Sequence, residues 1–133
     1  QDTVVEVDGH IGHGAVLHGC VIGRNVLVGM NAVVMDEVNV GANSIIGATA
    51  FVKKGMVIPE YSLVAGAPAK IIKTLTDDDL KHKVLGTQKY QRLVRRSHAS
   101  LERVQPLREM PADRPRLTRE QIWPEHLLDD LKR

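Results

Sequence analysis

The stretch VIGRNVLVGMNAVVMDEVNVGANSIIGATAFV, from Val21 to Val52, decides the fold because its aliphatic residues return every six positions. Neither an α-helix nor an alternating β-strand repeats every six residues. A coil of three short parallel strands does, so residues 11–69 are predicted to form roughly three turns of a parallel β-helix, an all-β solenoid. The spacing breaks once, in a step of five residues, and the aliphatic positions are Ile11, Leu17, Ile22, Val28, Val34, Val40, Ile46, Val52, Ile58 and Val64.

The other residues of each repeat fit the corners and the interior of such a solenoid. Glycine follows the aliphatic residue in several repeats and relieves crowding where the chain turns. Four positions after the aliphatic residue the sequence places a small or β-branched side chain: Ala15, Val21, Val26, Ala32, Val38, Ser44, Ala50 and Ser62. We expect these residues to point inward and equivalent aliphatic residues to stack at the inter-strand spacing of about 4.8 Å.

The two ends of the repeat differ. The stretch Gly66–Lys70, GAPAK, ends the pattern, because Pro68 has no N–H to donate to the next ladder hydrogen bond. Residues 1–10 already contain a weak repeat around Val5 and Val7. We therefore expect further coils upstream of Gln1 in the complete protein.

Composition narrows the possible locations. No run of about eighteen apolar residues is present, so we expect no contact with a membrane. The single cysteine, Cys20, forms no internal disulfide, which fits a reducing compartment. We predict a cytoplasmic protein.

Charge and glycine content divide the chain sharply. Residues 1–69 hold 3 basic and 6 acidic residues, whereas residues 70–133 hold 15 basic and 10 acidic ones. We predict a parallel β-helix over 1–70, a C-terminal α-helical segment over 71–104 and a Pro- and charge-rich tail over 105–133. In the tail, Trp123 and the leucines after it are expected to form a short docking helix: Leu127, Leu128 and Leu131.

The helix has a clear start at Thr76, a capping hydroxyl followed by three aspartates that favour the positive end of the helix dipole. An interruption is expected at Gly86. One face is apolar: Leu80, Val84, Thr87, Tyr90, Val94, His98 and Leu101. The opposite face is basic: Lys81, Lys83, Lys89, Arg92, Arg95, Arg96 and Arg103. Because almost no aromatic residues are interleaved, we interpret this face as solvated, and no nucleic-acid partner is expected.

Three of the six histidines lie in the stretch Gly9–Cys20, GHIGHGAVLHGC. Imidazole is the commonest neutral metal ligand, and zinc is satisfied by three of them plus water. His18 begins the departure from the six-residue spacing, as expected where a site overrides the local pattern. His13 and His18 lie on different sides of a corner, so they would meet at one ion only if identical subunits pack together.

At this point the sequence resembles a known family. The segment Gly12–Cys20 is similar to the signature of γ-class carbonic anhydrase-like hexapeptide-repeat proteins, and within them to the branch of phenylacetic acid degradation proteins and carnitine operon proteins. The similarity runs from Gln1 to about Leu117 and is carried by Asp8–Cys20, Val28–Asp36, Gly66–Lys70, Gly86–Val94 and His98–Leu101.

The resemblance implies a homotrimer of left-handed β-helices with zinc sites at the subunit interfaces. It assigns His13 and His18, from neighbouring subunits, as metal ligands and places the third histidine ligand upstream of Gln1. Tyr90 is similar to a helix tyrosine near the family's active site and is a catalytic candidate, although the family's asparagine five residues earlier is Leu85 here. It assigns no role to His10, which we interpret as a bystander, and we interpret Cys20 as a small buried thiol.

Three functions are compatible with these residues. The first is a zinc enzyme whose metal-bound hydroxide attacks a small molecule, either CO2 (carbonic anhydrase-like) or an acyl-CoA thioester (thioesterase). The second is an acyl-CoA-dependent acyltransferase with a histidine as general base. The third is a non-catalytic accessory protein of a catabolic operon. Paired histidines favour the metal enzyme, because a general base needs only one.

Overall fold

The computed structural model describes residues 2–114 and 116, and shows a parallel β-solenoid of about three turns followed by one helix. This confirms the predicted all-β solenoid with a C-terminal α-helix. The chain divides into two compact units, Gln1–Ser100 and Leu101–Arg133. Every strand and the helix that the structure describes belong to the first unit.

Twelve strands build three sheets. The first ten are two-residue strands: β1 Val4–Val5, β2 His10–Ile11, β3 Val16–Leu17, β4 Val21–Ile22, β5 Leu27–Val28, β6 Val33–Val34, β7 Asn39–Val40, β8 Ile45–Ile46, β9 Phe51–Val52 and β10 Val57–Ile58. The last two are longer, β11 Ser62–Ala65 and β12 Lys70–Thr74. The first sheet has the order β1-β4-β7-β10, the second β12-β11-β8-β5-β2 and the third β3-β6-β9.

The strand register shows what the five-residue step does. In the coils after this step, paired residues lie 18 positions apart in the sequence, as Leu27 and Ile45 do. Pairs that span it are 17 positions apart, as Val16 and Val33 are. The short repeat therefore removes one residue from a corner while leaving the three sheets in register.

The interior is the predicted aliphatic column. The predicted positions from Ile22 to Val64 are at most 1% exposed, whereas Ile11 in the first coil is 36% exposed. In the five-residue repeat the inward small residue is Cys20, 0% exposed, and not the predicted Val21, because deletion of one corner residue brings Cys20 into that position. The prediction of Cys20 as a buried thiol is thus confirmed, and burial raises the pKa of the thiol.

Each corner of the solenoid turns through one residue with positive φ. The corner between the first and second sheets is called the covered corner, because the C-terminal helix contacts it. Its positive-φ residues are Asp8, Asn25, Asn43 and Tyr61. The middle corner, between the second and third sheets, uses Gly14, Asn31 and Thr49. The exposed corner, between the third and first sheets, uses Gly19, Glu37 and Gly55. Asparagine and aspartate tolerate this conformation better than other side chains do, and glycine adopts it without strain.

The solenoid is closed at its C-terminal end by an antiparallel hairpin. Strand β12 pairs with β11 in the opposite direction, and the turn between them contains Pro68. The predicted end of the repeat at Gly66–Lys70 therefore corresponds to this turn. The helix starts later than residue 71, because residues 70–74 continue as a strand.

Helix α1 spans Asp77–Ser100 without interruption, so the predicted break at Gly86 is wrong. Its start is confirmed: the Thr76 hydroxyl accepts a hydrogen bond from the Asp79 N–H at 3.3 Å, and the Asp79 carboxylate accepts one from the Thr76 N–H at 2.9 Å. Hydrogen bonds from Lys73 and Thr76 lower the pKa of Asp79 to about 2. The reciprocal bonds define where the helix begins.

In the second unit, residues 101–114 and 116 contain neither helix nor strand. The short helix predicted around Trp123 lies outside the described residues, and the three-part division at residues 70 and 104 stays a prediction. Within the described part of the chain, no helix is long and apolar enough to cross a bilayer.

Candidate functional site

His13 and His18 lie at opposite ends of strand β3. His13 belongs to the middle corner, where its carbonyl accepts a hydrogen bond from the Asn31 N–H at 2.9 Å. His18 belongs to the exposed corner, and its N–H donates to the Val34 carbonyl at 2.9 Å. Both side chains are exposed. The sequence analysis expected them on different sides of one corner, but the structure places them at two different corners, with the whole of β3 between them.

His18 has a carboxylate partner that the sequence analysis did not single out. Its Nδ1 lies 2.8 Å from Asp36 Oδ1, across one coil of the solenoid. An ionised carboxylate only accepts hydrogen bonds, so Nδ1 carries the proton and Nε2 keeps its lone pair when the ring is neutral. The hydrogen bond from His18 lowers the pKa of Asp36, and the positive charge of Lys54 adds to this.

The exposed corner therefore carries a charged row across three coils. His18, Asp36 and Lys54 occupy successive coils, and Lys54 also binds Glu37 at 3.0 Å. The pairing raises the pKa of Lys54. A signal for this row was present in the sequence. Lys54 follows Asp36 by 18 residues, one full turn, and Asp36 follows His18 by 18 residues, one more than the 17-residue turn at that point.

Between the two histidines the third sheet presents an apolar outer face. Val16, Val33 and Phe51 are register partners on β3, β6 and β9, and Val16 and Phe51 are 49% and 39% exposed. The two histidines flank this apolar strip at its first strand, β3. Such a surface is one from which a second subunit would exclude water.

The donor groups of this face suit zinc, but one chain alone does not bring enough of them together. A carboxylate that holds the second ring nitrogen of a histidine is the usual partner of a metal-ligating imidazole. Among residues 2–114 and 116, however, no three His, Cys, Asp or Glu side chains gather where they would hold one ion. A metal that uses His13 and His18 together needs donors from another subunit.

His10 has a structural contact that the sequence did not predict. It lies on β2, its Nδ1 is 3.1 Å from Thr87 Oγ1 of α1, and its ring meets the Tyr90 ring edge to face at 5.2 Å. Burial lowers the pKa of His10, and the charges of Lys83 and His13 lower it further. His10 therefore joins the helix to the second sheet.

Tyr90, the predicted catalytic residue, contacts His10 through that ring pair and is 52% exposed. Within the described residues, no hydrogen bond or ring contact joins Tyr90 to His13 or His18. Its catalytic role stays a prediction.

Lys83 corrects the predicted basic face. It is 6% exposed, and its ammonium donates to the Asp8 carbonyl at 2.7 Å and to Asn25 Oδ1 at 2.6 Å. Burial lowers its pKa, and the Asp8 charge partly opposes this. The helix is rotated so that Lys83 points into the covered corner, where two oxygens need a donor. A 3.6-residue period places Leu80, Lys83 and Thr87 on one side, but charge led the sequence analysis to put Lys83 outside.

The family model of the bacterial transferase hexapeptide (six repeats) matches residues 19–54. The carnitine operon protein CaiE of Escherichia coli O7:K1 is 53% identical over 116 residues, which are 87% of this chain and 59% of that protein. The chain thus spans 59% of the length of the curated relatives it matches first.

Solved structures point to the same repeat. A hexapeptide transferase family protein from Anaplasma phagocytophilum is 30% identical with a TM-score of 0.63, over 70% of this chain and 60% of that one. A serine acetyltransferase (CysE) from Neisseria gonorrhoeae is 30% identical with a TM-score of 0.52, over 56% of this chain and 32% of that one. The repeat and the coil are those of a hexapeptide-repeat protein, and over 87% of its length this chain is similar to the CaiE proteins.

Proposed function

We propose that this chain belongs to a zinc-dependent enzyme of the γ-carbonic anhydrase-like type, in which His18 of one subunit and His13 of the next bind the metal in a homotrimer. The observation that carries the proposal is the 2.8 Å contact of His18 with Asp36, which leaves Nε2 free beside the apolar face of the third sheet. When bound, zinc acts as a Lewis acid and provides a nucleophile from water at neutral pH.

The chain's own residues prepare the site in two ways. Asp36 keeps the His18 proton on Nδ1, so the lone pair of Nε2 is available for coordination. The strip formed by Val16, Val33 and Phe51 excludes water once a second subunit covers it, which strengthens every electrostatic interaction at its edges. Suitable substrates have an electrophilic carbon bonded to an oxygen that gains negative charge during the attack. An acyl-CoA thioester and CO2 both meet this condition.

The first test is zinc content per chain together with the mass in solution. We expect about one zinc per chain in a trimer, since each of the three interfaces holds one ion. His13→Ala and His18→Ala are each expected to lose the metal and keep the trimer. His98→Ala, which removes an exposed histidine of α1, is the matched control and should keep both.

A mixing experiment tests whether the two histidines come from different subunits. Neither variant alone forms a site, but a His13→Ala subunit beside a His18→Ala subunit supplies one intact pair. Random assembly of equal amounts therefore restores about a quarter of the sites. Zinc that stays absent from mixed trimers, or a trimer that takes up no zinc at all, contradicts the proposal.

The second candidate is an acyl-CoA-dependent acyltransferase. The same His18–Asp36 pair favours it, because a carboxylate that orients a histidine is also the arrangement of a general base. The similarity to the two transferases adds support. In that case a chelator leaves the activity intact, whereas His18→Ala abolishes it without changing the metal content.

A further inference from the structure

We propose that Asp36 is a positioning residue: it fixes the tautomer and the ring orientation of His18, so that Nε2 faces outward from the exposed corner with its lone pair free. The use of that lone pair for zinc or for proton transfer rests on the proposed function. The fixed tautomer does not.

The pairing of β3 with β6 creates the contact. Leu17 pairs with Val34 at a distance of 17 residues, so His18 stands level with Met35 on the next coil. Asp36 lies one residue further round the same corner and can reach back across the coil to Nδ1, at 2.8 Å.

The backbone that carries Asp36 is held from both sides. The Glu37 N–H donates to the Gly19 carbonyl at 2.9 Å in the coil above, and the Asp36 carbonyl accepts from the Gly55 N–H at 2.8 Å in the coil below. The carboxylate is therefore mounted on a rigid corner, as a pre-organised supporting group needs to be.

His18 needs such a partner because little else constrains its ring. Its side chain is 68% exposed, whereas that of Asp36 is 32% exposed. An exposed imidazole without a partner samples both tautomers and several orientations. A carboxylate at Nδ1 removes this freedom before any ligand binds.

The tautomer can be read directly in the metal-free protein. Ring nitrogen shifts of His18 from ¹H–¹⁵N correlation spectra, at about two pH units above the usual histidine pKa of about 6.5, show which nitrogen carries the proton. We expect Nδ1–H in the parent protein. Asp36→Ala should convert most of His18 to Nε2–H, whereas Asp36→Asn should keep Nδ1–H, because the amide oxygen still accepts. Glu37→Gln, on the same corner, is the matched control and should leave the spectrum of His18 unchanged.

Zinc affinity, measured with the metal alone by competition against a chelating dye, gives the second readout. Removal of the group that orients a metal-bound histidine weakens binding by about 10- to 100-fold, and we expect this for Asp36→Ala but not for Glu37→Gln. A parent protein with Nε2–H at His18, or an Asp36→Ala protein with an unchanged tautomer, overturns the inference whatever the zinc result. A correct tautomer in a protein that binds no zinc supports the inference and rejects the zinc enzyme instead.

Discussion

The covered and exposed corners of the solenoid share one backbone design and put it to different uses. Both turn through a positive-φ residue in each coil. At the covered corner α1 lies along the turn, and Lys83 and Gln91 donate to oxygens of Asp8 and Asn25. At the exposed corner no helix contributes a hydrogen bond within the described residues. There His18 pairs with Asp36, and Lys54 pairs with Glu37.

The two corners show which positions of a repeat protein can carry a binding or catalytic side chain. Polar groups at the covered corner are satisfied within the chain, so a substitution there is felt as lost stability. The imidazole at the exposed corner keeps one nitrogen free, so a substitution there is expected to change binding while the coils stay intact.

The largest effect is expected for Gly41→Ala at the covered corner. A Cβ at Gly41 would lie 2.7 Å from the Pro59 carbonyl carbon and would also collide with the Glu60 N–H. Both are backbone atoms of the next coil, so the coils must separate. We expect a loss of about 3 kcal/mol or more in the free energy of unfolding, measured by urea denaturation.

Gly55→Ala at the exposed corner is the matched control. Gly55 has φ +72°, but a Cβ there meets no atom within 4 Å. The cost is then only that of a left-handed alanine, about 1–2 kcal/mol. Equal losses in the two variants would show that the corners do not differ in how closely their coils pack.

The second-largest loss of stability is expected for Lys83→Met, which keeps the apolar stem of the side chain and removes the ammonium. The Asp8 carbonyl and Asn25 Oδ1 lose their donor in a buried place, at a cost of about 1–3 kcal/mol. Hydrogen exchange of the α1 amides should accelerate, because this contact docks the helix. Lys81→Met, an exposed neighbour, is expected to leave both measurements nearly unchanged; a loss like that of Lys83→Met would place the effect in the helix itself.

The sequence predicts the regular parts of this fold but misses the contacts of Lys83 and Asp36. The six-residue period fixes the coils, the aliphatic interior and the cap because each depends on local spacing. Lys83 and Asp36 depend on contacts 58 and 18 residues apart. The rotation of α1 against the corner follows from which oxygens need a donor. The 3.6-residue spacing of Leu80, Lys83 and Thr87 indicated this face, but the charge of Lys83 argued against it. Asp36 was accessible in principle, since one turn of the coil separates it from His18, but the irregular repeat hides the register.

A smaller effect of opposite sign is expected for Gly86→Ala. Gly86 lies within the continuous helix α1, and a Cβ there meets no atom within 4 Å. Alanine lowers the entropy of the unfolded chain and favours the helix, so we expect a gain of about 0.5–1 kcal/mol in the free energy of unfolding. Helix α1 would then be more stable on the covered corner, and its amides should exchange more slowly. A loss of stability would mean that Gly86 is needed for close packing.

The smallest effect is expected in the pH dependence of helix docking, through His10. The pKa of His10 is lowered in the folded protein, mainly by burial, so the unfolded chain binds the proton first as the pH falls below about 6.5. Stability should therefore decrease between pH 7 and pH 5. The groups that face His10 are Thr87, Tyr90, Lys83 and His13. Because the charges on Lys83 and His13 oppose the same protonation, neither cancels the trend.

His10→Gln isolates this contribution. Thr87 Oγ1 donates to the Lys83 carbonyl at 3.2 Å, so it accepts from Nδ1–H of His10, and a glutamine amide can make the same donation without titrating. The melting temperature of His10→Gln should fall less between pH 7 and pH 5 than that of the parent protein. His98→Gln, exposed near the end of α1, should keep the parental slope. Identical slopes in all three proteins would mean that acid acts elsewhere, and that the covered corner is held by Lys83 and the apolar contacts of α1 alone.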